Sequence, residues 1–117
     1  MRPRVLIVDD HPGFRSVARV ALEADGFQVV AEASDGEGAV LAVLDTSPDV
    51  VLLDVHLPDA DGFRVAERLA ALAAPPAVLL ISSRPIGDLR RRLAASPVVG
   101  FLSKDQLSGP AIDAMLR

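Results

Sequence analysis

The sequence predicts a doubly wound α/β domain, a five-stranded parallel sheet with helices on both faces. Short apolar runs recur at Val5–Val8, Phe27–Ala33, Val50–Leu53, Ala77–Ile81 and Val98–Leu102. They are rich in β-branched residues and too short for helices, so they read as strands. Stretches with helical spacing separate them, and this alternation is the pattern of right-handed crossovers between parallel strands. The first, third and fourth runs are apolar without alternation, as strands covered on both faces are, which places them at the centre of the sheet.

The helices follow in order. Phe14, Val17, Ala18, Ala21 and Leu22 share one face of a helix that starts near Pro12, and Gly26 is its left-handed stop. Ala39, Val40, Val43 and Leu44 mark a second helix, closed by Pro48. Phe63, Val65, Ala66, Leu69 and Leu72 mark a third, for which Pro75-Pro76 is the stop. A fourth is expected around Asp88–Ala95 and a short fifth over Pro110–Leu116. No internal repeat, low-complexity tract or linker interrupts the pattern.

Bulk properties narrow the function classes. A chain of 117 residues fits one domain, and one of this size buries roughly two-thirds of its unfolded surface. Half of the residues are apolar but only the four Phe are aromatic, so Ala, Val and Leu must fill the core. The absence of cysteine removes disulfides, thiolate zinc sites and cysteine nucleophiles together. A net charge of −4 argues against a free-standing nucleic-acid binder. No apolar stretch approaches the roughly 18 residues needed to span a bilayer, and no signal-peptide pattern opens the chain, so the expected setting is the cytoplasm.

In open parallel sheets, ligands bind beyond the carboxyl ends of the strands. There the first strand ends in Asp9-Asp10, the third in Asp54, the fourth in Ser82-Ser83 and the fifth in Ser103-Lys104. Singly, each has an ordinary explanation: Asp10 as a helix cap, Ser82 as a loop hydroxyl. Together they converge on one edge although they are far apart in sequence. Three clustered carboxylates repel one another, and a hard divalent cation such as Mg²⁺ relieves that repulsion while leaving room for phosphate oxygens. Lys104 is the single lysine beside eleven arginines, and its compact ammonium suits a phosphate or carboxylate in a tight space. Asp54 ends a wholly apolar strand and precedes the loop "VHLPDADG". A carboxylate there, beside Mg²⁺ and an ammonium, can attack phosphorus and carry an acyl phosphate. Asp59 and Asp61 read as turn or solvated residues.

The motifs "VDDHP", "LLDVHLPDADG", "ISS" and "GFLSKD", in this order and spanning essentially the whole chain, resemble the receiver domain of two-component response regulators. The resemblance implies a flavodoxin-like sheet of strand order 2-1-3-4-5. It implies that Asp54 accepts a phosphoryl group from a sensor histidine kinase. Asp9, Asp10, Asp54 and the backbone carbonyl of His56 then hold Mg²⁺, with one of Asp9 and Asp10 direct and the other direct or through water. Lys104 and Ser82 would bind the phosphate. Phe101, three residues before Lys104, matches the switch aromatic, and Ser82 and Phe101 would change position together on phosphorylation. Arg84 and His56 fall where the family varies phosphate lifetime. Neither His11 nor His56 is read as a phosphohistidine. The implied partners are the kinase and a second copy on phosphorylation, with no nucleic acid or membrane bound by this domain.

"VDDHP", "DVHLPDADG" and Lys104-Asp105 in place of Lys-Pro look most like receivers of the LuxR or NarL type, and no cis peptide is expected after the lysine. Pro97 stands where such receivers have a helix-ending glycine, and Arg90-Arg91-Arg92 reads as a solvated face. Residues 1–117 are read as one receiver, and a fragment of a transcriptional regulator whose helix-turn-helix output domain lies outside this chain is favoured over a stand-alone receiver. A haloacid-dehalogenase-like phosphatase would need Asp-x-Asp, and a nucleotide or flavin module a Gly-rich or Thr-rich loop, after the first strand. An inactive receiver would have lost an acid or the lysine, and none is lost.

Overall fold

A computed structural model describes residues 2–85 and 87–117. The strands are β1 (Arg4–Val8), β2 (Gln28–Ala33), β3 (Val50–Asp54), β4 (Ala77–Ser82) and β5 (Gly100–Ser103), all parallel, in the order β2-β1-β3-β4-β5. The helices are α1 (Pro12–Ala24), α2 (Gly36–Thr46), α3 (Gly62–Ala70), α4 (Arg90–Ala95) and α5 (Gly109–Leu116).

The three uninterrupted apolar runs are the central strands. Apart from the first residues of β1 and β4, every residue of β1, β3 and β4 is buried. Alternation along each strand divides their side chains between two layers. Leu6, Val8, Val51, Leu53, Val78 and Leu80 pack with α2 and α3 residues such as Val43 and Leu69. Val5, Ile7, Val50, Leu52, Leu79 and Ile81 pack with Leu22 of α1 and Ile112 of α5.

The helix boundaries have local causes. Pro12 occupies the first turn of α1, where a missing N–H costs nothing, and Gly26 at φ +92° follows the helix as its left-handed stop. At the end of α2 the left-handed residue is Ser47, φ +48°, one position before Pro48. The expectation that α3 runs to Pro75 is corrected: it stops at Ala70, and Leu72 reaches the core from the turn beyond. The fourth helical segment opens as a 3₁₀ turn, Gly87–Leu89, continues as α4, and has no buried residue in α4. Ser96, placed before Pro97, is extended at φ −93° and ψ 146°, which ends the helix. β5 begins at Gly100, two residues later than the apolar pattern suggested.

Candidate functional site

Register brings the carboxylates together. β1 and β3 align Val8 with Leu53, and β3 and β4 align Asp54 with Ile81. Asp9 and Asp54 therefore follow matched residues on adjacent strands. By alternation they leave the sheet on the side of Ile7 and Leu52, the side covered by α1 and α5. Asp9 is fully buried and Asp54 nearly so, at 0% and 3% exposure. Lys104, just past β5, reaches over both: its Nζ lies 2.5 Å from Asp9 Oδ2 and 3.1 Å from Asp54 Oδ2. Phe14 of α1 supports the ammonium from 4.7 Å.

Backbone donors fix the remaining oxygens. Asp54 Oδ1 accepts the N–H of His56 at 3.0 Å, and Asp9 Oδ1 accepts that of His11 at 2.8 Å. Burial is the largest influence on all three charged groups. It lifts the Asp54 pKa, with the Asp9 charge adding to the rise against the opposing pull of His56 and Lys104. In Asp9 burial is outweighed by Lys104 and by the His11 N–H, so its pKa falls. Burial would lower that of Lys104, but the hydrogen bonds and charges of Asp9 and Asp54 raise it. The two acids are thus driven apart, with Asp9 the more firmly ionised.

Asp10 is exposed and does not cap α1; the N-cap position is His11, whose side chain makes no cap bond. One ligand atom from each of Asp9, Asp10, His11 and Asp54 lies within 4.8 Å of the others. Buried and exposed carboxylates converging at that range fit a hard divalent cation, which draws on one or two carboxylates and keeps water on its open side.

The other residues picked out by sequence lie on or just after β4 and β5. Ser82 is buried, and its Oγ accepts the N–H of Arg84 at 3.0 Å, so the hydroxyl is held by its own loop. By alternation it shares the face of Val78 and Leu80, opposite to that of Asp54. Arg84 lines an open cleft of about 490 Å³ with Ser83, Pro85, Ser103, Lys104 and Asp105. Phe101 is half-buried, packs against the α2 and α3 layer, and lines a separate groove with Arg90, Leu93, Ala94, Gly100 and Met115.

Two acids are more than the solvated turn residues the sequence suggested. Asp59 accepts the N–H groups of Gly36 and Glu37 at 2.8 and 3.1 Å, capping α2 from the loop after Asp54. Those bonds, that of Gly36 first, hold its pKa down. Asp61 is the N-cap of α3 through the Phe63 N–H at 2.8 Å, and its other oxygen pairs with Arg92 of α4. Arg92 also lies 4.4 Å over the Phe63 ring, so one member of the arginine run is an internal tie. Gly62 is required here by packing: a Cβ would meet the Asp54 carbonyl oxygen at 2.4 Å. Sequence reasoning also missed Arg15, which donates to the Asp9 carbonyl at 2.6 Å and pairs with Glu32 at 3.1 Å. Its only sequence signal is its place on the inner turn of α1.

The chain is similar to known proteins along nearly its whole length. The profile described as response regulator receiver domain matches residues 5–116. The virulence transcription regulator BvgA of Bordetella pertussis is 35% identical over 114 residues, which are 97% of this chain and 54% of BvgA. The positive alginate biosynthesis regulatory protein of Pseudomonas aeruginosa is 44% identical over 115 residues, 97% of this chain and 46% of that protein. The chain thus spans about half the length of these curated relatives. Among solved structures, the receiver domain of NarL from Mycobacterium tuberculosis superposes with a TM-score of 0.86 at 32% identity, covering 98% of this chain and 97% of that one. The chain belongs to the response regulator receiver domains of two-component systems, with its likeness among them to receivers of the LuxR/NarL type.

Proposed function

We propose that this receiver accepts a phosphoryl group on Asp54 from the phosphohistidine of a sensor kinase in the cytoplasm, and that phosphorylation controls an output, transcription through a helix-turn-helix domain outside this chain. The observation that carries the reading is the convergence of Asp9, Asp54 and Lys104, held at 2.5 and 3.1 Å around one ammonium.

The chemistry follows from the arrangement. An Asp54 oxygen forms a bond to phosphorus as the phosphorus–nitrogen bond to the donor histidine breaks. Its raised pKa makes the ionised carboxylate the more basic and so the better nucleophile of the pair. Asp9, Asp10, Asp54 and the His56 carbonyl would hold Mg²⁺, which when bound supplies positive charge to the transferred oxygens. Lys104 leaves its contact with Asp54 Oδ2 and pairs with the phosphate instead. Ser82 exchanges its bond from the Arg84 N–H for the phosphate oxygens, and Phe101 moves with that loop to change the α4 and β5 surface. Arg84 and His56 flank the acyl phosphate and set its lifetime. The domain is a phosphoacceptor and assists only its own phosphorylation and dephosphorylation. A second copy, bound on phosphorylation, is the expected partner besides the kinase.

Incubation with Mg²⁺ and acetyl phosphate, followed by intact mass, tests the reading. The wild type gains one phosphoryl mass and Asp54→Asn gains none. A wild-type chain that never gains phosphate would make this an inactive receiver, and equal labelling of the variant would move the acceptor elsewhere.

A further inference from the structure

The acid cluster contains a donor that is not an oxygen. His11 follows the two acids directly and precedes Pro12, whose ring confines its neighbour to extended backbone; it lies at φ −95° and ψ 106°. Its N–H is tied to Asp9 Oδ1 at 2.8 Å, so main chain and carboxylate fix where the ring starts. From there Nδ1 lies 3.1 Å from Asp9 Oδ1 and 3.1 Å from Asp10 Oδ1. A ligand atom of His11 falls within 4.8 Å of those of Asp9, Asp10 and Asp54. Ligands at about 2.1 Å from one ion lie up to roughly 4.2 Å apart, so small side-chain adjustments close this set around a single ion. The His11 side chain is 70% exposed, which leaves its ring room for such an adjustment.

Donor chemistry decides which ion gains from this nitrogen. Mg²⁺ takes oxygen and keeps its waters, whereas imidazole binds the first-row transition dications and only weakly favours the hard ions. Carboxylates alone discriminate little between Mg²⁺ and Mn²⁺; a nitrogen placed among them discriminates more. We infer that His11 Nδ1 is a ligand at the acid cluster, biasing this receiver toward Mn²⁺ and the later first-row dications over Mg²⁺. The inference rests on the metal-binding reading of Asp9, Asp10 and Asp54 and adds to it a ligand and a selectivity.

The test uses Mn²⁺ as probe on the full chain, with pulsed electron paramagnetic resonance to detect imidazole nitrogen bound to the ion. The chain has two histidines, so His56→Asn controls for the other ring. His11→Asn is the informative variant, because Asn is well tolerated at a helix N-cap and the fold survives it. Nitrogen modulation is expected in the wild type and in His56→Asn, and not in His11→Asn. Mn²⁺ affinity of His11→Asn should fall roughly tenfold or more, with Mg²⁺ affinity held within about twofold. Modulation missing from the wild type, or persisting in His11→Asn, would overturn the ligand. An unchanged Mn²⁺ to Mg²⁺ affinity ratio would overturn the selectivity. Failure of the underlying reading looks different: Asp9→Asn and Asp10→Asn would then bind both ions as the wild type does.

Discussion

Glu32 shows how a residue outside the acid cluster supports it. On β2, it accepts from Arg19 Nε at 2.7 Å and pairs with Arg15 at 3.1 Å, while Arg15 holds the Asp9 carbonyl. The hydrogen bond from Arg19 is the largest cause that lowers the Glu32 pKa below its ordinary 4.5; burial opposes it and Arg15 adds to the fall. A carboxylate whose folded pKa lies below its unfolded one stabilises the protein above the unfolded value, and that stabilisation is lost as pH falls through the folded value. Glu32→Gln should therefore be less stable than the wild type at pH 7, with the gap closing below pH 4.5 and gone at the acid end. Urea midpoints by far-ultraviolet circular dichroism across that range check it, and a gap that persists at pH 2.5 would assign the effect to packing. None of this was legible beforehand. Arg15, Arg19 and Glu32 meet only because α1 crosses back over β2, whereas Asp9, Asp10, Asp54 and Lys104 each announced themselves by ending a strand.

Among the elements, α4 is the one least held by apolar burial. It has six residues and none is buried; Leu93, with Leu89 just before the helix, is partly buried against the α2 and α3 layer. Arg92 adds the tie to Asp61 and to the Phe63 ring. Asp61 in turn bridges to His56, two residues past Asp54. Exposed ion pairs contribute little, about 0–1 kcal/mol, but stacking on a buried ring adds to this one. Arg92→Ala is expected to speed amide exchange across residues 87–96 by several-fold and to leave the exchange of β1 and β3 unchanged. Uniform acceleration through the sheet would show instead that the arginine stabilises the whole fold. The limits of legibility have the same origin. The β1, β3 and β4 runs were readable because burial on both faces demands unbroken apolar sequence. The end of α3 was not readable, since Ala71–Ala74 carry good helix formers and no breaker precedes Pro75.

At the scale of the molecule, these differences add up to a gradient of stability across the sheet. β1 and β3 lie at its centre, with Leu6, Ile7, Val8, Val51, Leu52 and Leu53 at 0% exposure. β5 lies at one edge and buries only Leu102. Its neighbours are α4, with no buried residue, and α5, which buries Gly109 and Ile112. Segments with few buried apolar contacts open locally at free energies well below that of global unfolding. The compliant edge is the one that carries Phe101 and Lys104, while the acids of β1 and β3 are set in the rigid centre. The proposed phosphoacceptor Asp54 and the proposed switch residue Phe101 thus lie at the centre and at one edge of the same sheet. Native-state exchange in low denaturant should sort the amides accordingly. Those of β1 and β3 should exchange only by global unfolding, with a strong denaturant dependence, and those of α4 and β5 by local opening that denaturant barely affects. Leu52→Ala and Leu93→Ala probe the same contrast. The first should lower global stability by about 2–5 kcal/mol. The second should raise exchange in α4 and β5 several-fold with a far smaller global loss. Equal losses from the two would mean that the sheet and its edge unfold as one unit, and the division between a rigid centre and a compliant edge would be abandoned.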